Sequence, residues 1–133
     1  MGICYFLSQW WGLDLISPED IAILFSTATG VDMSASELMK IGQRIHNIEK
    51  AFNTLHTGFE RKDDFPPVRF MTEPIKSGTY TGEVLTKDKW NRMLDDYYAL
   101  EGWNPVDGQQ TEAGLLALGL SDVAEKLKQC GKL

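Results

Sequence analysis

The sequence predicts an all-α protein: an irregular multihelical bundle of about six helices with a long Pro/Gly-containing loop. Three observations carry that prediction. Helix-start signals recur, with Ser17, Ser34, Thr86, Thr111 and Ser121 each followed within three residues by an acid. Apolar residues behind those starts fall at steps of three and four, the helical period. Pro74, Gly78 and Gly82 interrupt the pattern once, in a loop over residues 72–86 where a short strand pair is the one extended element expected.

The elements follow in order. Residues 2–11 carry Ile3, Tyr5, Phe6, Leu7, Trp10 and Trp11 and are expected to form a short buried helix. Ser17-Pro18-Glu19-Asp20 starts the next, with serine as N-cap, proline at the first position and acids in the first turn, and Gly30 as C-cap. Ser34-Ala35-Ser36-Glu37 is a capping box. It opens the central helix, along which Leu38, Ile41, Ile45, Ile48, Phe52 and Leu55 form one apolar stripe, expected to be buried. Gly42 beside it would admit a neighbouring helix. Lys40, Gln43, Arg44, Glu49, Lys50 and Asn53 take the opposite face and are expected in water or in pairs. On this reading Ile45→Ala or Ile48→Ala costs roughly 2–5 kcal/mol and Lys50→Ala little.

Pro66 and Pro67 forbid helix in the charged turn that ends at Phe70. Thr86 caps a helix that buries Trp90, Met93, Leu94, Tyr97 and Tyr98 and ends at Gly102. Residues 103–108 are turn-rich. Thr111 caps a short helix carrying Leu115, Leu116 and Leu118 and stopped by Gly119, and Ser121 caps the last, with Val123, Ala124 and Leu127 inward.

At 133 residues the chain is expected to be a single domain, 1–133. A net charge of -6 with no basic stripe argues against nucleic acid and against an anionic membrane surface. Cys4 and Cys130 form no disulfide framework and lack zinc-ligand spacing. The first residues lack a basic n-region, and the apolar run at residues 3–7 is too short for export or a membrane span, so a cytoplasmic address is expected.

Gly42-Gln43-Arg44-Ile45-His46-Asn47-Ile48-Glu49-Lys50-Ala51-Phe52-Asn53 resembles the carboxy-terminal domain of the aldehyde:ferredoxin oxidoreductase family, the tungsten- or molybdenum-pterin enzymes with an iron–sulfur cluster. The resemblance continues through Gly58-Phe59-Glu60-Arg61-Lys62-Asp63-Asp64, Pro67-Val68-Arg69-Phe70, Met93-Leu94-Asp95-Asp96-Tyr97-Tyr98, Gly102-Trp103 and residues 111–123. It implies a parent that oxidises aldehydes to carboxylic acids and passes electrons through a 4Fe-4S cluster to ferredoxin, with these helices helping to enclose cofactor and substrate channel. In the family an Asp-x-x-Gly-x-Cys segment precedes this domain, and Gly2-Ile3-Cys4 matches its end, as if the chain were truncated at that motif. Cys4 is then the fourth iron–sulfur ligand, and the one cofactor-binding position carried over, in a full-length or reassembled enzyme. In the chain by itself no cofactor is expected, since one thiolate cannot hold a cluster that takes four. The partner implied is the missing N-terminal catalytic portion.

Catalytic residues are read as none. His46 and Glu49 lie three apart but lack a second ligand pair, and His46 and His56 are read as solvated or capping. Asp63-Asp64 and Asp95-Asp96 have Arg61, Lys62 and Arg69 at hand and are read as ion pairs rather than as paired catalytic acids. Trp90, Tyr97, Tyr98 and Trp103 are read as core rather than substrate funnel. Residues 114–119 lack the glycines and lysine of a phosphate loop. Two other classes stay open: a stand-alone helical protein-interaction module showing an apolar patch where a catalytic domain once docked, and part of a related reductase acting on aromatic thioesters.

Overall fold

The computed structural model describes residues 16–133. The expected helix over residues 2–11, and Cys4 within it, lie outside them. The described residues form six α-helices and no strand: α1 (Pro18–Thr29), α2 (Ala35–Thr57), α3 (Val68–Thr72), α4 (Lys87–Glu101), α5 (Glu112–Ala117) and α6 (Ser121–Gln129). None of these is long and apolar enough to cross a membrane. The chain divides into two compact units, Met1–His46 and Asn47–Leu133.

In the first unit both helix starts are built as the sequence predicts. The Ser17 hydroxyl accepts the Asp20 N–H at 3.1 Å and the Asp20 carboxylate accepts the Ser17 N–H at 2.9 Å. Ser34 and Glu37 do the same at 3.2 and 2.8 Å, so orphan amides at both helix starts find partners. Gly30 closes α1 in the left-handed conformation at φ 72°. The Ser26 hydroxyl accepts the Met33 N–H at 2.9 Å and donates to the Ala22 carbonyl at 2.9 Å, tying the connection after α1 back onto that helix. Gly42 has nothing among the described residues within 4 Å of where a Cβ would stand, so no described helix uses it as a point of close approach.

The second unit holds two apolar clusters. In one, Ala51 meets Leu115, Leu120, Ala124 and Leu127, with Leu55, Leu118 and Val123 at its margin. In the other, Leu94, Tyr98 and Trp103 pack with Phe65 and Trp90. Thr86 and Thr111 cap α4 and α5 as expected, accepting the Lys89 and Gly114 N–H groups. The start of α6 departs from expectation. Leu120, not Ser121, is its N-cap, because the Leu120 N–H returns to the Leu115 carbonyl at 2.9 Å and the two helices join in one tight turn.

Two further corrections fall between α2 and α4. The prolines do not exclude helix after residue 58. Arg61–Asp64 forms a 3-10 turn and Val68–Thr72 a short α-helix with Pro67 as its N-cap, where the missing proline N–H costs nothing. The loop over residues 72–86 folds on itself, the Ile75 N–H donating to the Glu83 carbonyl at 3.0 Å and the Gly82 N–H to the Ile75 carbonyl at 2.8 Å, without a strand pair.

The largest correction concerns α2. The residues it buries are Asn47, Lys50, Ala51 and Thr54, at the helical spacing of one face but mostly polar. Ile41, Ile45, Ile48 and Phe52 are exposed, Ile45 at 54% and Phe52 at 61%. At about 100° per residue the apolar stripe lies some 140° around the helix from the buried face. Met93 and Tyr97 of α4, expected inward, are likewise exposed, while Leu94 and Tyr98 are buried.

Candidate functional site

The buried polar face of α2 ends in the second unit's central constellation. Asn47 is held from two sides: its side-chain oxygen accepts the Trp103 Nε1–H at 2.9 Å and the Gln110 Nε2–H at 2.7 Å, and its backbone carbonyl accepts Gln110 Nε2–H as well. The Thr54 hydroxyl donates to Gln109 Oε1 at 2.9 Å, and Gln109 Nε2–H donates on to the Phe59 carbonyl at 2.8 Å. Between them stands Lys50, 6% exposed. Its ammonium lies 5.1 Å from the centre of the Phe59 ring, 4.9 Å from that of Trp103 and 4.0 Å from the Asp64 carboxylate. Two π-faces and one carboxylate stand where water would otherwise solvate the charge.

Asp64 reaches this place because the 3-10 turn carries it there. Its carboxylate accepts the Tyr98 hydroxyl at 2.5 Å and its carbonyl accepts Trp90 Nε1–H at 3.1 Å. Arg61, one turn earlier, binds the Asp95 carboxylate at 2.7 Å, the Pro105 carbonyl at 2.6 Å and both oxygens of Asn91 at 3.1 Å, and lies over the Tyr98 ring. Gly108 sits against the Tyr98 hydroxyl at φ 71°, and a Cβ there would stand 2.8 Å from that oxygen. Only glycine fits.

Burial pushes the Lys50 ammonium below the usual lysine range, with Asp64, Asp63 and Asp107 pulling the other way. Burial, and then the hydrogen bond to Asp64, holds the Tyr98 phenol far above the ordinary tyrosine range. The lysine shift has a readable consequence. Unfolded, Lys50 binds its proton at the ordinary value, whereas folded it binds less tightly. Between the two values the unfolded chain carries more protons, so this group's contribution to stability rises with pH. The stability of the wild type minus that of Lys50→Met should therefore increase from neutral pH toward ~10, in paired urea melts. A flat or falling difference would show that the fold does not penalise the charge.

Chemically the constellation is a scaffold. Tyr98 is fully buried and Lys50 nearly so, so neither meets a substrate in the chain as described. Of the aromatic residues read as core in the sequence, Tyr98 and Trp103 are buried with Trp90 packed against them, whereas Tyr97 is exposed and meets Trp103 edge-on at 5.7 Å. The acid pairs divide as ion-pair partners, Asp95 with Arg61 and Asp64 with Lys50, while Lys62 and Arg69 pair with Glu60 and Glu73 instead. His56 lies against the Phe52 ring at 4.3 Å. Among the described residues no group of three or more His, Cys, Asp or Glu could hold a metal ion, and Cys130, the one cysteine there, is exposed. A groove of about 590 Å³ runs beside Glu60, Asp107, Gln110 and Lys128, and its walls include none of Trp90, Tyr97, Tyr98 and Trp103.

Sequence reasoning missed Asn47, Lys50, Thr54 and Gln110 as partners. The available signal was Ala51: a small residue flanked at helical spacing by Asn47 and Thr54 marks a face against which backbone can pack closely.

Residues 1–120 match the family described as aldehyde ferredoxin oxidoreductase, domains 2 and 3. The chain is 37% identical over 122 residues to the tungsten-containing aldehyde ferredoxin oxidoreductase of Pyrococcus horikoshii and 34% identical to that of Thermococcus kodakarensis. In both cases 91% of this chain is covered but only 18% of the relative, so the chain spans under one fifth of the length of these curated relatives. Among solved structures, the active-site complex BamBC of benzoyl coenzyme A reductase with 1,5-dienoyl-CoA matches 89% of this chain and 16% of that chain, at 26% identity and a TM-score of 0.70.

Proposed function

Since the chain belongs to the aldehyde ferredoxin oxidoreductase family, we propose that it serves as the carboxy-terminal helical domain of a tungsten- or molybdenum-pterin enzyme that oxidises aldehydes to carboxylic acids with ferredoxin as electron acceptor. One observation carries this reading: over 91% of its length the chain aligns with enzymes whose tungsten, aldehyde and ferredoxin chemistry is in their names. The pterin-held metal would supply the two-electron oxidation and a 4Fe-4S cluster the onward path of electrons. Cys4 is the position this chain contributes to that cluster. The other cofactor ligands and the residues that polarise substrate belong to the N-terminal catalytic portion, in a cytoplasmic protein.

This chain's described residues do positional work. The Arg61, Asp64 and Lys50 contacts lock the turn after α2 against α4, giving a rigid wall of the kind an enclosed cofactor site needs. A second reading, part of a reductase acting on aromatic thioesters, is favoured by the likeness to the benzoyl coenzyme A reductase complex. The test is to purify the protein without oxygen from its own cells and measure tungsten, molybdenum and iron. Metal-bearing material that contains a larger polypeptide and reduces ferredoxin with an aldehyde is expected. Turnover with benzoyl coenzyme A in place of aldehyde would favour the second reading, and a metal-free monomer would overturn both.

A further inference from the structure

The geometry of α2 points to a docking surface: we propose that Ile48 and Phe52 seat the part of the parent polypeptide that this chain does not match. This rests on the function proposed above and names the surface through which it operates. Phe52 is 61% and Ile48 48% exposed, one turn apart on the same face of the helix. A helix that buries Asn47, Lys50 and Thr54 and shows its isoleucine and phenylalanine to water has its faces reversed for a protein standing alone. Such a helix is explained if a second body covers the apolar side.

The surroundings have the composition of an interface rim. Glu49, Asn53 and His56, all exposed, border Phe52, and the His56 ring lies tilted against it at 4.3 Å. In the same unit α4 repeats the pattern on a smaller scale, with Met93 and Leu100 exposed beside the buried Leu94 and Tyr98. The occupant follows from length. The matched enzymes carry this stretch as 18% of their chains, so more than four fifths of each must pack around or beside it. A covalently continuous body at high effective concentration outcompetes a second copy for an apolar stripe.

The experiment places a photoreactive benzoyl-phenylalanine at Phe52, and in a control at Glu125 on α6, in the protein produced in its own cells without oxygen. Illumination, peptide mapping and metal analysis follow. The expected result is cross-links from position 52, but not from 125, to peptides of the aldehyde ferredoxin oxidoreductase sequence outside residues 1–133. Phe52→Glu should also leave the urea midpoint of the 133-residue chain unchanged while lowering that of the protein isolated from its own cells. Metal-bearing material whose cross-links stay within residues 1–133, or form not at all, overturns the docking surface and leaves the proposed function standing. Cross-links to a second copy of the same peptides overturn the occupant. Metal-free material with no companion sequence overturns the proposed function and the occupant with it.

Discussion

Tyr98→Ala should destabilise the second unit by about 3–5 kcal/mol, a large share of the roughly 5–15 kcal/mol that holds a domain together. Three losses combine. The ring is fully buried and packs on Trp103 at 5.9 Å and within the Leu94 cluster, so truncation opens a cavity that the helix backbone cannot close. The Arg61 guanidinium loses the aromatic face it lies over at 5.3 Å. The Asp64 carboxylate loses the hydroxyl that donates to it. Tyr98→Phe separates the terms by keeping the ring and removing only the hydroxyl, at about 1–3 kcal/mol. Urea melts of the two variants give both numbers. A Tyr98→Ala loss no larger than that of Tyr98→Phe would mean that the hydroxyl, and not the packed ring, holds this cluster.

What could be read from the sequence was the local chemistry. The Ser17 and Ser34 capping boxes, the Thr86 and Thr111 caps and the stops at Gly30 and Gly102 depend on residues within four positions of one another, and each stands where expected. What could not be read depended on distant residues. Asp64 lies 34 positions from Tyr98 and Asn47 lies 56 from Trp103. No periodicity announces that Lys50 will find two aromatic faces and a carboxylate. The α2 error has a different cause. Hydrophobic patterning reports which face of a helix avoids water, not which body covers it. On the docking surface proposed above, that body belongs to the more than four fifths of the relatives' length that this chain does not match.

Lys50→Ala tests that account in energies, and it should cost about 2–4 kcal/mol, where the apolar-stripe reading expected little. The side chain is 6% exposed, so its methylene stem is core material, and its removal leaves a void between Phe59 and Trp103. The ammonium itself contributes less than its surroundings suggest, because burial lowers its proton affinity despite three acidic neighbours. Lys50→Met should therefore lose no more than about 1 kcal/mol, the thioether filling the space while Asp64, 27% exposed, keeps its access to water. Ile48→Ala should cost below about 1 kcal/mol in the 133-residue chain, since half of that side chain is already in water. The ordering is the test: Lys50→Ala well below wild type, with Lys50→Met and Ile48→Ala close to it. If Ile48→Ala instead proved the costlier change in the chain alone, the apolar stripe would be core after all and the surface assigned to Phe52 would fall with it. If its cost rose only when the full parent assembly was melted, the stripe would be buried there, and only there.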